Sequence, residues 1–202
     1  MRDAMRARRG LIVSGVSGAS GAAERGGERA AALIEHWIAG HPERAPQTAL
    51  LFASLPGEPD TLPLDALLRR HRAAVAYPRV DGAALRLHRA TPDQLQTGRF
   101  GIREPAADAD EIAPTSVDFV LVPGLAFDSK GHRLGFGRGF YDALLEAAPG
   151  ALRVGVCLPE QLISHVPIEP HDRCMDLVLA DELHVTFART WPSPPSQKEV
   201  AT

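Results

Sequence analysis

The chain has 202 residues, 45% of them apolar, and a formal net charge of −3. That length suits one domain with a sizeable buried core, and the near-balanced charge makes no basic field of the kind that draws nucleic acid. No apolar run reaches the length of a membrane span, and two cysteines, Cys157 and Cys174, make neither a disulfide framework nor a CxxC site, so a reducing cytoplasm is the expected setting.

The first nine residues are basic, with Arg2, Arg6, Arg8 and Arg9. They can form one or two helical turns or a frayed start. The apolar stretch that follows is too short for a secretory signal. Residues 11–27 read LIVSGVSGASGAAERGG, and that Gly, Ser and Ala content predicts a flexible segment. From Glu28 to Trp37, Ala32, Leu33 and Trp37 fall at helical spacing, with Trp37 as core. Thr48 to Ser54 (TALLFAS) reads as a buried strand, Leu62 to Arg72 as a helix, and Ala73 to Tyr77 as the next strand. Apolar runs without alternation fit a parallel sheet covered on both faces. Glu58 lies just beyond a strand's carboxyl end, where open α/β sheets place ligand groups; a solvated loop acid is the other reading. Ala84 to His88 alternates as a half-exposed strand, and Thr91 caps a short turn. Residues 98–105 read GRFGIREP, and residues 106–114 form an acidic connector.

The densest chemistry lies between a buried strand at Val117 to Pro123 and a helix from about Phe140 to Ala147. The run LAFDSKGHRLGFGRGFYDALL holds Gly131, Gly135, Gly137 and Gly139, the cations Lys130, Arg133 and Arg138, and Asp128 and Asp142 at its edges. Glycine lets backbone N–H groups approach a ligand closely, a helix start offers unpaired N–H groups to phosphate, and arginine neutralises it in a fork. The pattern suggests a polyphosphate site with an acid nearby for a metal ion. It is neither the dinucleotide fingerprint nor the GxxxxGK[ST] loop, and a glycine-rich turn with solvated arginines is the competing reading. Further on, Arg153 to Leu158 is a buried strand in which Cys157 is a small core residue. Asp172 and Asp176 precede a strand that starts near Asp176, and Leu183 to Phe187 makes a last strand. Residues 191–202 are Pro- and Ser-rich and are expected to be disordered, which leaves residues 1–190 as a single domain.

The segments Pro123 to Asp128, Gly131, and Arg133 to Asp142 resemble the signature of the 5-formyltetrahydrofolate cyclo-ligase (methenyltetrahydrofolate synthetase) family, PGLAFD-x-x-G-x-RLG-x-G-[KR]-G-[YF]-YD. The likeness extends from about Ala49 to Phe187. It implies a three-layer α/β/α fold with a mostly parallel central sheet, similar to the sugar-phosphate isomerase and CoA-transferase folds. It also implies ATP-dependent conversion of 5-formyltetrahydrofolate to 5,10-methenyltetrahydrofolate, with ADP and phosphate released. In that chemistry the formyl oxygen takes the γ-phosphoryl group, and N10 then attacks the activated carbon as phosphate leaves.

Residue by residue, the resemblance implies that Arg2, Arg133, Leu134, Gly135, Phe136, Gly137, Arg138, Gly139, Phe140 and Tyr141 bind ATP, with Arg138 and Tyr141 catalytic. It implies that Ala53, Glu58, Phe100 and Phe136 face the folate, and that Asp142 and Asp176 hold magnesium. The lysine that the family carries four residues before the Arg2 position would fall ahead of Met1. A monomer or weak homodimer in the cytoplasm, with no nucleic acid or membrane partner, completes the expectation. The competing functions are a non-catalytic folate- or nucleotide-binding homologue and a sugar-phosphate enzyme on the same fold.

Overall fold

The computed structural model describes residues 19–98, 101–169, 172–180 and 183–186. Its centre is an eight-stranded sheet in the order β13-β12-β10-β7-β1-β2-β3-β6. The strands are β1 (Thr48–Leu50), β2 (Ala74–Asp81), β3 (Ala84–Arg89), β6 (Glu111–Ile112), β7 (Phe119–Val122), β10 (Leu152–Cys157), β12 (Leu177–Ala180) and β13 (Leu183–Thr186). The pairings from β12 through β10, β7 and β1 to β2 are all parallel. The outer pairings of β13, β3 and β6 are antiparallel. Two short ribbons lie outside this sheet. One pairs β4 (Gln96–Thr97) with β5 (Arg103–Glu104), and the other orders β11 (Leu162–Ile163), β8 (Ala126–Asp128) and β9 (Arg133–Leu134).

Successive side chains of a strand point to opposite faces, and here both faces are covered. Ala49, Val75, Phe119, Leu121 and Val154 pack against α1 (Ala19–Gly40) and α2 (Leu62–Arg70) through Ile34, Ile38, Leu64 and Leu68. Leu50, Ala76, Val120 and Val122 pack with Leu144 and Leu145 of α3 (Phe140–Ala147) on the other side. This is the expected three-layer α/β/α arrangement, and double-sided burial explains why the strands read as unbroken apolar runs.

One boundary differs from expectation. Residues 19–27, read as flexible, form the first turns of α1; residues 11–18 lie outside the described residues. The glycines there are packing devices. A Cβ on Gly27 would come within 2.0 Å of the Asp60 carbonyl oxygen, and one on Gly26 within 3.3 Å of Leu158. The helix therefore lies directly on the 55–60 loop, and the Asp60 N–H donates to the Ala23 carbonyl at 3.0 Å. Among the described residues, no helix is long and apolar enough to cross a membrane.

Candidate active site

A cavity of about 520 Å³ opens beyond the carboxyl ends of β1 and β7 and is lined by Phe52, Ala53, Glu58, Pro123 and the 135–142 segment, among others. This is the edge where open parallel sheets hold ligands. It exists there because the strands end and their connections splay: after β1 the chain makes a tight loop, and after β7 it turns through the β8–β9 hairpin into the glycine run.

The loop after β1 is held rigidly. The Leu55 N–H donates to Glu58 Oε2 at 2.8 Å, the Glu58 N–H donates to the Leu55 carbonyl, and Thr61 Oγ1 donates to the Phe52 carbonyl at 2.8 Å. Glu58 is only 5% exposed, yet it lines the cavity. Burying an acid is costly unless hydrogen bonds answer it, as the Leu55 N–H does here.

The glycine run is aimed by a buried acid upstream. Asp128 is 1% exposed, and its carboxylate accepts from the N–H groups of Lys130, His132 and Val166 and pairs with His132 Nδ1 at 2.9 Å. Burial opposes its charge, but these donors outweigh burial and hold the carboxyl below its ordinary value. Asp128 thus fixes the hairpin that leads to Arg133 and is not available to a metal. Arg133 in turn donates through Nη2 to Asp142 Oδ1 at 2.9 Å, and its guanidinium carbon lies 5.8 Å from the Tyr141 ring centre.

Among the described residues, Arg133 Nε and the Tyr141 hydroxyl on this wall are buried with no hydrogen-bond partner. Burial, with the nearby Glu58 charge, raises the Tyr141 pKa far above its ordinary value, so the phenol stays protonated. Buried donors without partners are uncommon in folded proteins, and a ligand or water that supplies acceptors accounts for them. Gly137 and Gly139 have φ of 85° and 68°, a region that side chains other than glycine enter at a cost. Gly139 is the N-cap of α3, which leaves the first N–H groups of that helix at the cavity.

The sequence-derived residues sort as follows. Ala53, Glu58, Arg133, Gly135, Phe136, Gly137, Arg138, Gly139, Phe140, Tyr141 and Asp142 all line one cavity. Arg2 and Phe100 lie outside the described residues. Leu134 is not in the wall: its side chain is buried with Leu125, Ala126 and Val166. Asp176 is also misplaced as a partner for Asp142. It sits just before β12, hence at the amino edge of the sheet. There its carboxylate is taken by Arg153, through the backbone N–H at 2.9 Å, Nε at 3.0 Å and Nη2 at 3.1 Å. Glu169 and Asp172, which precede Asp176 in the chain, do share the cavity with Asp142, as do Glu58 and Glu104. A positional signal was available: an acid immediately before a parallel strand lies at the edge opposite the ligands. Arg79, near the same wall, is committed to the Pro105 carbonyl at 2.8 Å. Ile102, Arg103 and Glu104 also line the cavity.

A parallel α/β sheet whose carboxyl-edge cavity joins a glycine–arginine loop to buried acids and an apolar wall has the layout of an α/β enzyme's ligand site. The chain matches the 5-formyltetrahydrofolate cyclo-ligase family across residues 1–181. It is 33% identical over 172 residues to the 5-formyltetrahydrofolate cyclo-ligase of Mycolicibacterium smegmatis, covering 80% of this chain and 87% of that one. It is 35% identical over 151 residues to the enzyme of the same name from Escherichia coli, covering 71% and 80%. The NMR structure of Aquifex aeolicus 5,10-methenyltetrahydrofolate synthetase superposes with a TM-score of 0.72 at 26% identity, covering 98% of both chains. The chain belongs to the 5-formyltetrahydrofolate cyclo-ligase family.

Proposed function

We propose that the cavity is where the chain, as a cyclo-ligase, converts 5-formyltetrahydrofolate and ATP to 5,10-methenyltetrahydrofolate, ADP and phosphate. The observation that supports this reading is that two buried donors on the wall formed by the signature residues, Arg133 Nε and the Tyr141 hydroxyl, have no partner among the described residues. A formamide carbon is a poor electrophile until its oxygen is phosphorylated, which is why ATP is consumed. Phosphoryl transfer calls on the protein for positioning and charge neutralisation more than for a covalent nucleophile. The residues present fit that demand. The backbone around Gly135, Gly137 and Gly139 cradles phosphate, Arg138 and Arg133 balance its charge, and Tyr141 donates a hydrogen bond. Cys157 is no nucleophile, since burial pushes its thiol up to about 12.

On the folate side, Glu58, Ala53 and Phe136 face the pterin. Magnesium fits Asp142 and Asp172, whose hard carboxylate oxygens line the same cavity. Among the described residues no group of three or more His, Cys, Asp or Glu side chains is placed to hold a metal. The remaining ligands would therefore come from phosphate oxygens and water, as magnesium prefers. Both cysteines are free, which suits a reducing cytoplasm.

The test mixes the protein with 5-formyltetrahydrofolate and magnesium-ATP and follows the methenyl chromophore. Arg138→Ala should cut kcat by about 30- to 1,000-fold, the ~2–4 kcal/mol of a transition-state charge contact. Unchanged turnover would remove Arg138 from the mechanism. In the same assay Asp172→Asn should raise the magnesium concentration needed for half-maximal rate, whereas Asp176→Asn should lower the melting temperature and leave that requirement alone.

A further inference from the structure

The glycine loop answers the phosphate end of the ligands, but the folate has an anionic end of its own. A 5-formyltetrahydrofolate molecule ends in a glutamate with two carboxylates, remote from the reacting formyl group. Five acids line the cavity, Glu58, Glu104, Asp142, Glu169 and Asp172, and they would repel that end. Among the described residues the lining cations are Arg103, Arg133 and Arg138. The latter two belong to the signature segment, and Arg133 is paired with Asp142.

Arg103 is different in place and in bonding. It stands on β5, which pairs with β4 through Thr97, and lines the apolar stretch of wall made by Pro78, Val80, Leu85 and Ile102. Its Nη2 donates to the carbonyls of Pro92 at 2.6 Å and Leu95 at 3.2 Å. Pro92 opens the short turn Pro92–Gln94 and Leu95 follows it, and the turn is itself closed by a capping box from Thr91. The guanidinium is thereby anchored at one nitrogen. Its Nε and Nη1 make no hydrogen bond among the described residues. An arginine held by Nη2, with the N–H groups of Nε and Nη1 unspent and an apolar wall beside it, can meet a carboxylate at the end of an aromatic ligand through a charge-assisted hydrogen bond.

We infer that Arg103 is a specificity-determining residue that binds a glutamate carboxylate of the folate, an inference that rests on the cyclo-ligase reading of the cavity. The competing role is structural, a strut under the 92–95 turn, and the experiment separates the two. The unaltered protein, Arg103→Ala and Arg103→Lys are compared with 5-formyltetrahydrofolate and with 5-formyltetrahydropteroate, which lacks the glutamate.

Loss of a partly exposed charge-assisted contact should raise the KM for the folate about 5- to 10-fold in Arg103→Ala. The kcat and the KM for ATP should stay within about twofold, and Arg103→Lys should recover part of the loss. The pteroate KM, already high in the unaltered protein, should not rise further. A rise of equal size for both substrates, or for neither, would overturn the assignment. Equilibrium binding of the two compounds to the same three proteins keeps the question answerable apart from catalysis. If the unaltered protein bound both but formed no methenyl product, the activity reading would fail while the binding ratio still decided the role of Arg103.

Discussion

Gly26 and Gly27 in α1 and Gly135, Gly137 and Gly139 ahead of α3 are two glycine-bearing stretches beside a helix. In α1 the glycines are buried in regular helix, Gly27 against the backbone of the loop that carries Glu58 and Gly26 against the side chains of Leu158 and Pro59. In the second stretch Gly137 and Gly139 are exposed, with backbone angles of the left-handed region, and a Cβ on Gly139 would meet nothing within 4 Å. Glycine serves space in the first region and dihedral freedom in the second. A single substitution to alanine therefore asks a different question at each site.

The largest effect is expected at Gly27. An alanine there would place its Cβ 2.0 Å from a backbone oxygen, and neither a helix nor a bonded loop yields cheaply. Overpacking of this kind costs about 1–3 kcal/mol or more, equivalent in a chain of this size to a fall in Tm of about 2–12 °C. Because Asp60 is bonded to α1 and Glu58 lies two residues before it, the folate KM should rise as well, with the ATP KM little changed. Thermal denaturation and steady-state kinetics check both parts. An unchanged Tm would mean that α1 and the loop are not locked together.

That same contact shows why the start of α1 was hidden in the sequence. Glycine costs about 0.5–1 kcal/mol in a helix interior, and local propensity therefore argues for a flexible linker. What overrides it is tertiary, a close approach to residues some 30 positions away, which no local pattern encodes. The sheet was easier to read because burial on both faces leaves continuous apolar runs, and α3 follows its glycine run at Phe140 as its spacing requires. Of the signature residues, Pro123, Arg133 and the run from Gly135 to Asp142 gather around the cavity, whereas the side chain of Leu134 turns inward because strand alternation puts it opposite Arg133. The resemblance puts Asp176 beside Asp142, and the direction of the strand it precedes shows that it belongs to the far edge. Arg103 carried no periodic or motif signal at all, since a single cation in a short ribbon gains meaning only from the wall that it joins.

An intermediate effect is expected where the second region is anchored. Asp128 holds the hairpin upstream of the glycine loop, and its carboxyl lies below the ordinary aspartate value of 3.8. A depressed folded-state pKa adds stability that is present above the unfolded value and is lost as pH falls through the folded one. Stability should therefore decline on acidification below about pH 4, and Asp128→Asn should flatten that decline. The amide keeps the shape but turns one acceptor into a donor facing N–H groups, so a loss of about 1–3 kcal/mol at neutral pH is expected. Denaturant unfolding of both proteins at several pH values reads the difference. Identical acid slopes would show that the carboxylate is not the group that titrates.

The smallest effect on stability belongs to Gly139. With φ at 68° and open space at its Cβ, alanine meets only the intrinsic cost of the left-handed region, about 1–2 kcal/mol. Asparagine, which enters that region more readily, should cost less than alanine, an order that steric crowding would not produce because asparagine is the larger residue. Kinetics should separate further from folding here. The strain falls on the turn that aims the first N–H groups of α3, so the ATP KM should rise in Gly139→Ala and recover in part in Gly139→Asn, while the folate KM stays near its original value. Gly27→Ala should show the reverse split. If both variants moved the same Michaelis constant, the two glycine regions would not serve separate halves of the cavity.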